Sequence, residues 1–449
     1  MSSPLRSWGH NDRVSEIPRG AAGRAARLVS LPLGHAGRSA RGLGRRLGGT
    51  PASVVNEDIQ RRTAEQLFTV LGSLKGGAMK VGQALSVLEA ALPEEYVEPY
   101  REMLVRLQDA APPMSTDEVH SVLTRDLGPD WRSVVEVEDR PVAAASIGQV
   151  HRGVMSDGRV VAVKVQYPGA DKALRSDLQQ IARLARVATT WMPALDIKPV
   201  TEELLAAADE ELDYTLEAAN QRAFAQGYRD DPDVAVPDVV LQSHHVIISD
   251  WLEGAPLSQV IREADQDVRD RVGELYLNFL LSGPERVGLL HSDPHPGNFR
   301  LTPDGRLGVI DYGAVTRLPH GIPRIVGTLA RTALAGDAEA VVAGLRDEGF
   351  IRPGITVDAD DVLAYLLPFL EPLREPTHSF TRAWLREATK GVTDLRAPEF
   401  STGLQMNMPR EYAMIHRVFV GSTGVLSQLG ATIPARASME RYLPGFAQE

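Results

Sequence analysis

Two short polar runs constrain this chain more than any other feature. The first is His291-Ser292-Asp293-Pro294-His295-Pro296-Gly297-Asn298, and the second is Val309-Ile310-Asp311-Tyr312-Gly313. Two prolines and a glycine keep a helix out of the first run. Asp304-Gly305, between the runs, predicts a hairpin turn that brings them back together. Asp293, Asn298 and Asp311 offer hard oxygen atoms, the ligand type that Mg2+ requires. Moving a phosphoryl group develops charge on phosphate oxygens, and a magnesium ion neutralises it. Asn298 and Asp311 are therefore read as metal ligands. Asp293 is read as the group that orients an attacking hydroxyl or water, or accepts its proton.

An Asp and an Asn at this spacing, followed by a second Asp after a short hairpin, form the layout of a kinase catalytic loop and metal loop. A third run fits the same layout. Val161-Ala162-Val163-Lys164 ends on a lysine able to pair with nucleotide phosphates, and Glu217, on a helix expected over 201–228, is its candidate carboxylate partner. One part departs from the layout. Where kinases carry a glycine-rich loop, this chain reads Pro141-Val142-Ala143-Ala144-Ala145-Ser146-Ile147-Gly148-Gln149-Val150. Ala143, Ala144, Ala145 and Ser146 are the nucleotide-facing candidates there. Alanine reaches positive φ less freely than glycine, and its Cβ limits close approach to phosphate, so the nucleotide is expected to sit differently.

The surrounding patterns place these runs. Val150–Met155 and Arg159–Gln166 flank Ser156-Asp157-Gly158 and read as a β-hairpin. Val234–Leu241 and His245–Trp251 read as two more strands. From Pro256 onward the chain reads as mostly helical, interrupted at 291–314. Residues 56–92 carry helical apolar spacing, closed by Pro93. The expected units are a flexible basic arm (1–55), a helical extension (56–130), a small β-rich lobe (131–255) and a helical lobe (256–449).

Composition narrows the function. The chain has 449 residues, 43% hydrophobic and 24% charged, which suits a folded protein. It has no Cys, which removes a disulfide framework, a thiolate zinc site and a cysteine nucleophile. The net charge of −11 argues against a nucleic-acid binder. Residues 1–50 hold nine Arg against Asp12 and Glu16, a local +7 that leaves −18 for the rest. The alternatives for that arm are peripheral contact with an anionic membrane, nucleic acid, or an organellar transit peptide. No uncharged apolar run reaches the ~18 residues of a membrane span. The expected location is cytoplasmic, peripheral to a membrane if the arm touches lipid.

Taken in order, the motifs resemble the UbiB-type (AarF/ADCK) atypical kinase-like family, and most closely its coenzyme Q-associated members. The residues that carry the resemblance are Lys80-Val81-Gly82-Gln83, Ala143 to Gln149, Lys164, Glu211-Leu212-Asp213, Glu217, His291 to Asn298 and Asp311-Tyr312-Gly313. It implies an α+β, protein-kinase-like bilobed fold with a helical extension over the substrate cleft. It further implies that Lys80 and Gln83 face the active site, Lys80 contacting Glu211 and Asp213 while Lys164 pairs with Glu217. ATP and Mg2+ would be the cofactors, with ATPase or small-molecule kinase activity supporting prenyl-lipid or quinone metabolism. A prenyl-lipid or quinone precursor would be the partner, and the covered cleft disfavours a protein substrate. Two alternatives stay open: a small-molecule phosphotransferase of the aminoglycoside or choline type, and a non-catalytic ATP-gated lipid-binding scaffold.

Overall fold

The computed structural model describes residues 114–144, 147–170, 172, 212–394 and 397–447. Lys80, Gln83, Ala145, Ser146 and Glu211 lie outside the described residues, as do the arm and the 56–113 part of the extension.

The first helix, α1 (Thr116–Leu127), starts at a capping box. Ser115 accepts from the Glu118 amide, and the Glu118 carboxylate accepts from the Ser115 amide at 2.9 Å. Its apolar stripe, Val119, Val122 and Leu123, is buried against Val161, Val163 and Val246 of a sheet. The sequence reading grouped this helix with the extension, yet its buried face is spent on the small lobe. That sheet contains β1 (Val135–Ala144), β2 (Gly148–Met155), β3 (Val160–Gln166), β5 (Val239–Gln242) and β6 (Val246–Asp250), in the order β1-β2-β3-β6-β5 and antiparallel throughout. The β2–β3 hairpin turns at Gly158, whose φ of 88° is open to glycine.

Two sequence expectations shift at the junction between the lobes. The single strand expected over Val234–Leu241 is two strands. β4 (Val234–Ala235) runs parallel to β10 (Leu307–Val309) in the helical lobe, whereas β5 belongs to the small lobe. Pro237 lies between them, has no N–H for a ladder, and gives its carbonyl to Gln221 at 2.8 Å. The helix expected over 201–228 is described from Tyr214 as α2 (Tyr214–Gly227). Asp213 is its N-cap, outside the helix, accepting from the Thr215 and Leu216 amides.

The helical lobe follows β7 (Ala255–Pro256) with α3 (Leu257–Glu263) and α4 (Gln266–Val287). A β segment then carries the polar runs: β8 (Leu289–His291), β9 (Phe299–Leu301), β10 (Leu307–Val309) and β11 (Val315–Arg317). Strands β4-β10-β9-β7 form one small sheet, and β8 pairs with β11. Helices α5 (Arg324–Leu334), α6 (Ala338–Asp347), α7 (Ala359–Leu370), α8 (Arg382–Thr393), α9 (Pro398–Gln405), α10 (Arg410–Leu429) and α11 (Ala435–Tyr442) complete it. One large core joins Phe224 of α2, Tyr276 and Phe279 of α4, Phe299, Tyr312 and Leu426. Among the described residues no helix is long and apolar enough to cross a membrane.

Candidate active site

Strand alternation aims Lys164. Val161, Val163 and Val165 are fully buried under α1, so Lys164 lies on the opposite face of β3. Its Nζ donates to Glu217 Oε1 at 2.6 Å and to Asp311 Oδ2 at 3.0 Å. Glu217 sits in the first turn of α2 and is 4% exposed. The Lys164 ammonium also stands 5.3 Å from the centre of the Tyr214 ring. Burial pulls the Lys164 pKa down, but the Asp311 and Glu217 carboxylates outweigh it and hold the ammonium well above its ordinary range. The lysine is therefore a fixed cation.

The loop after β8 is held at both ends and in its middle. Ser292 shares a 2.7 Å hydrogen bond with Thr316, across the β8–β11 pair. Tyr276, in α4, donates its hydroxyl to the Pro294 carbonyl at 2.6 Å. Pro294 also rests on α10, where Gly421 leaves room: a Cβ there would stand 2.4 Å from Pro294 Cγ. Asn298 donates from Nδ2 to the Asp293 carbonyl at 3.1 Å, which closes the loop across its own span. His295 Nδ1 accepts from the Gly297 amide at 3.1 Å, a bond within the loop. Asp293 is 9% exposed at this loop.

Asp311 follows β10. Its Oδ1 accepts from the Gly313 amide at 3.0 Å, while its carbonyl accepts from His291 Nε2 at 2.7 Å. That second bond requires the neutral Nε2–H tautomer of His291, or its cation. Burial lowers the His291 pKa, which favours the neutral ring. Tyr312 turns the other way and is fully buried, its ring 5.1 Å from Phe224. Asn220 donates to the Tyr312 carbonyl at 3.3 Å. The segment Asp311-Tyr312-Gly313 is thus fixed by α2 on one side and by the aromatic core on the other.

The structure brings Lys164, Glu217 and Asp311 into contact, and links Asp293 to Asn298 on the neighbouring loop. Ala143 and Ala144 end β1, opposite Val150 and Gln149. Asp213 is a helix cap. The sequence reading missed Tyr276, Asn220 and Gly421. None stands in a motif, and each looks like one more member of a helix.

The donor set suits magnesium. Nδ2 of Asn298 is committed to the loop, so Oδ1 is the atom it would offer a metal, with the Asp311 carboxylate as the second donor. Among the described residues no group of three or more His, Cys, Asp or Glu could hold a metal alone. Two protein oxygens with phosphates and water completing the shell is the way magnesium binds in phosphoryl-transfer sites.

Residues 106–344 match the family model of the ABC1 atypical kinase-like domain. The chain is 30% identical over 384 residues to the chloroplastic protein ACTIVITY OF BC1 COMPLEX KINASE 3 of Arabidopsis thaliana, covering 81% of this chain and 50% of that one. It is 27% identical over 403 residues to the mitochondrial atypical kinase coq-8 of Caenorhabditis elegans, covering 87% and 52%. The chain thus spans about half the length of the curated relatives it matches. Among solved structures it resembles the Rv3197–erythromycin complex from Mycobacterium tuberculosis, with 44% identity, a TM-score of 0.68, and coverage of 89% of this chain and 100% of that one.

Proposed function

This chain belongs to the ABC1 atypical kinase-like family and has its kinase-like fold, and we propose that it binds Mg-ATP and passes the terminal phosphoryl group to water or to a small molecule, in support of prenyl-lipid or quinone metabolism. The observation that carries this reading is Lys164, held between Glu217 and Asp311 with the Asp293–Asn298 loop alongside. The cluster carries one cation against two carboxylates, which favours a further cation.

Lys164 would pair with phosphate oxygens, with Glu217 keeping it extended. Asn298 and Asp311 would hold magnesium, which supplies charge neutralisation on the phosphates. Asp293 would orient the acceptor hydroxyl or water and take its proton as the new P–O bond forms and the bond to ADP breaks. Ala143, Ala144, Ala145 and Ser146 would lie over the phosphates. Lys80 and Gln83 would face the cleft from the extension, Lys80 contacting Glu211 and Asp213, and the covered cleft would disfavour a protein substrate. The quinone assignment rests on relatives named for coq-8 and COQ8B. The basic arm would give peripheral contact with an anionic membrane.

A second reading is favoured by the similarity to the solved Rv3197–erythromycin complex. In it the same site serves a bulky small molecule, either as phosphoacceptor or as bound ligand.

The test is phosphate release from Mg-ATP by the full-length protein, with and without anionic vesicles, beside Asp311→Asn. Turnover that rises with vesicles and vanishes in the variant is expected. Turnover equal in wild type and Asp311→Asn would overturn the site. Phosphate transferred to an added hydroxylated small molecule, and not to water, would favour the second reading.

A further inference from the structure

The hairpin that carries the alanine-rich loop has an irregular ladder. From Val137 to Ala144, β1 takes seven steps while β2 takes four, Gly153 to Gln149. Register shifts fall on both sides of Pro141, which has no N–H to offer the ladder. Backbone pairing alone therefore fixes the loop poorly. A one-residue slip would exchange the side chains that Ala143 and Ala144 present on each face.

Two buried polar side chains occupy this gap. Gln149 is 0% exposed and His151 is 1% exposed. His151 Nδ1 stands 2.7 Å from the Glu138 carbonyl, inside the irregular stretch of β1. A carbonyl can only accept, so Nδ1 carries the proton. His151 Nε2 is then an acceptor in the neutral ring, and Gln149 Nε2 donates to it at 2.9 Å. Gln149 Oε1 in turn accepts from the Met114 amide at 2.8 Å, just before α1. The hydrogen bonds run one way: Met114 amide to Gln149, Gln149 to His151, His151 to Glu138. A fully satisfied chain of this kind in a low-dielectric interior specifies one arrangement.

The same strand meets the lysine strand without irregularity. Gly148, Gln149 and Val150 lie opposite Gln166, Val165 and Lys164. Gly148 has no room to move: a Cβ there would stand 2.4 Å from the Val165 carbonyl oxygen. Strand β2 is thus fixed to Lys164, and the polar chain fixes β1 to β2.

We propose that Gln149 and His151 are positioning residues for the nucleotide: by pinning β1 to β2 they set where Ala143 and Ala144 stand relative to Lys164, and so how the site distinguishes ATP from ADP. This rests on the Mg-ATP reading above. Neither residue touches the nucleotide. Their effect passes through the register of the loop.

The experiment measures the dissociation constants of Mg-ATP and Mg-ADP by calorimetry on full-length wild type, Gln149→Met and His151→Phe. Both substitutions keep the general shape with some added volume and delete the hydrogen bonds. Lost folded fraction scales both apparent affinities by one common factor, so their ratio is blind to a merely structural role. The ratio is expected to move about fivefold or more in both variants, the scale of one lost buried hydrogen bond. A ratio within roughly twofold of wild type in a folded variant overturns the proposal. So does failure of both variants to fold, which would make the pair structural only. Lys164→Ala and Asp311→Asn are measured alongside. If those leave Mg-ATP binding unchanged, or wild type binds neither nucleotide, the Mg-ATP reading itself fails and the proposal with it. Weakened binding in both with an unmoved ratio in the Gln149 and His151 variants rejects the proposal alone.

Discussion

Two motifs of the candidate site are held by different means. The Asp293 loop sits in the large helical core, pressed between Tyr276 of α4 and Gly421 of α10. The alanine-rich loop lies at the end of an irregular hairpin, and its ends are fixed by the ladder to β3 and by the Gln149–His151 pair. On the proposed reading, packing would position the oxygen ligands, and register would position the backbone over the phosphates. Packing tolerates little change of volume. Register tolerates changes of volume on an exposed strand but not the loss of its few pins.

That contrast can be broken most severely at the shared cluster. Asp311→Asn removes the carboxylate that joins both sides, and turnover should fall by about two to three orders of magnitude, the cost of several kcal/mol of lost charge stabilisation. Steady-state phosphate release measures it, and wild-type turnover in the variant would refute the assignment. Gly421→Ala comes next and tests the packed side alone. The new Cβ would meet Pro294, so the loop must shift, at about 1–3 kcal/mol. Urea unfolding and kcat should fall together, with KM for ATP less affected. Tyr276→Phe is a milder version: it leaves the Pro294 carbonyl buried without its donor, at about 1–3 kcal/mol. A drop in kcat with unchanged KM is expected, and a change in KM alone would show that the loop does not depend on this bond. The smallest effect belongs to the register side. Ala144→Gly loosens the backbone by about 0.5–1 kcal/mol. It should change relative ATP and ADP affinity a few-fold without changing the urea midpoint by more than that amount. Equal affinity ratios before and after would mean that the loop does not meet the phosphates.

The sequence marked the candidate site residues more clearly than the residues that support them. Lys164, Glu217, Asp293, Asn298 and Asp311 were legible because metal and phosphate chemistry restricts residue type and spacing, and the β2–β3 hairpin was legible from its alternation and Asp157-Gly158. Tyr276 and Gly421 were not, because helical periodicity shows that a face is buried but not which loop it meets. The break at Pro237 was visible as a residue but not as a crossing, since two strands on different sheets share one apolar pattern. Asp213 lies one helical turn before Glu217, and only the backbone angles show that it caps the helix instead of continuing it. Gln149 and His151 are polar residues on a strand whose alternation gives no reason to bury them. Only the pairing of β1 supplies that reason.

The 3.0 Å contact between Lys164 and Asp311 spans 147 residues of sequence. Closing a loop of that length costs about 4 kcal/mol of chain entropy. A partly exposed ion pair returns roughly 1 kcal/mol or less. The contact therefore cannot by itself draw the lobes together; the packing of the sheet and of the helical core must do so. A chain with one lobe misassembled has no such cluster to offer.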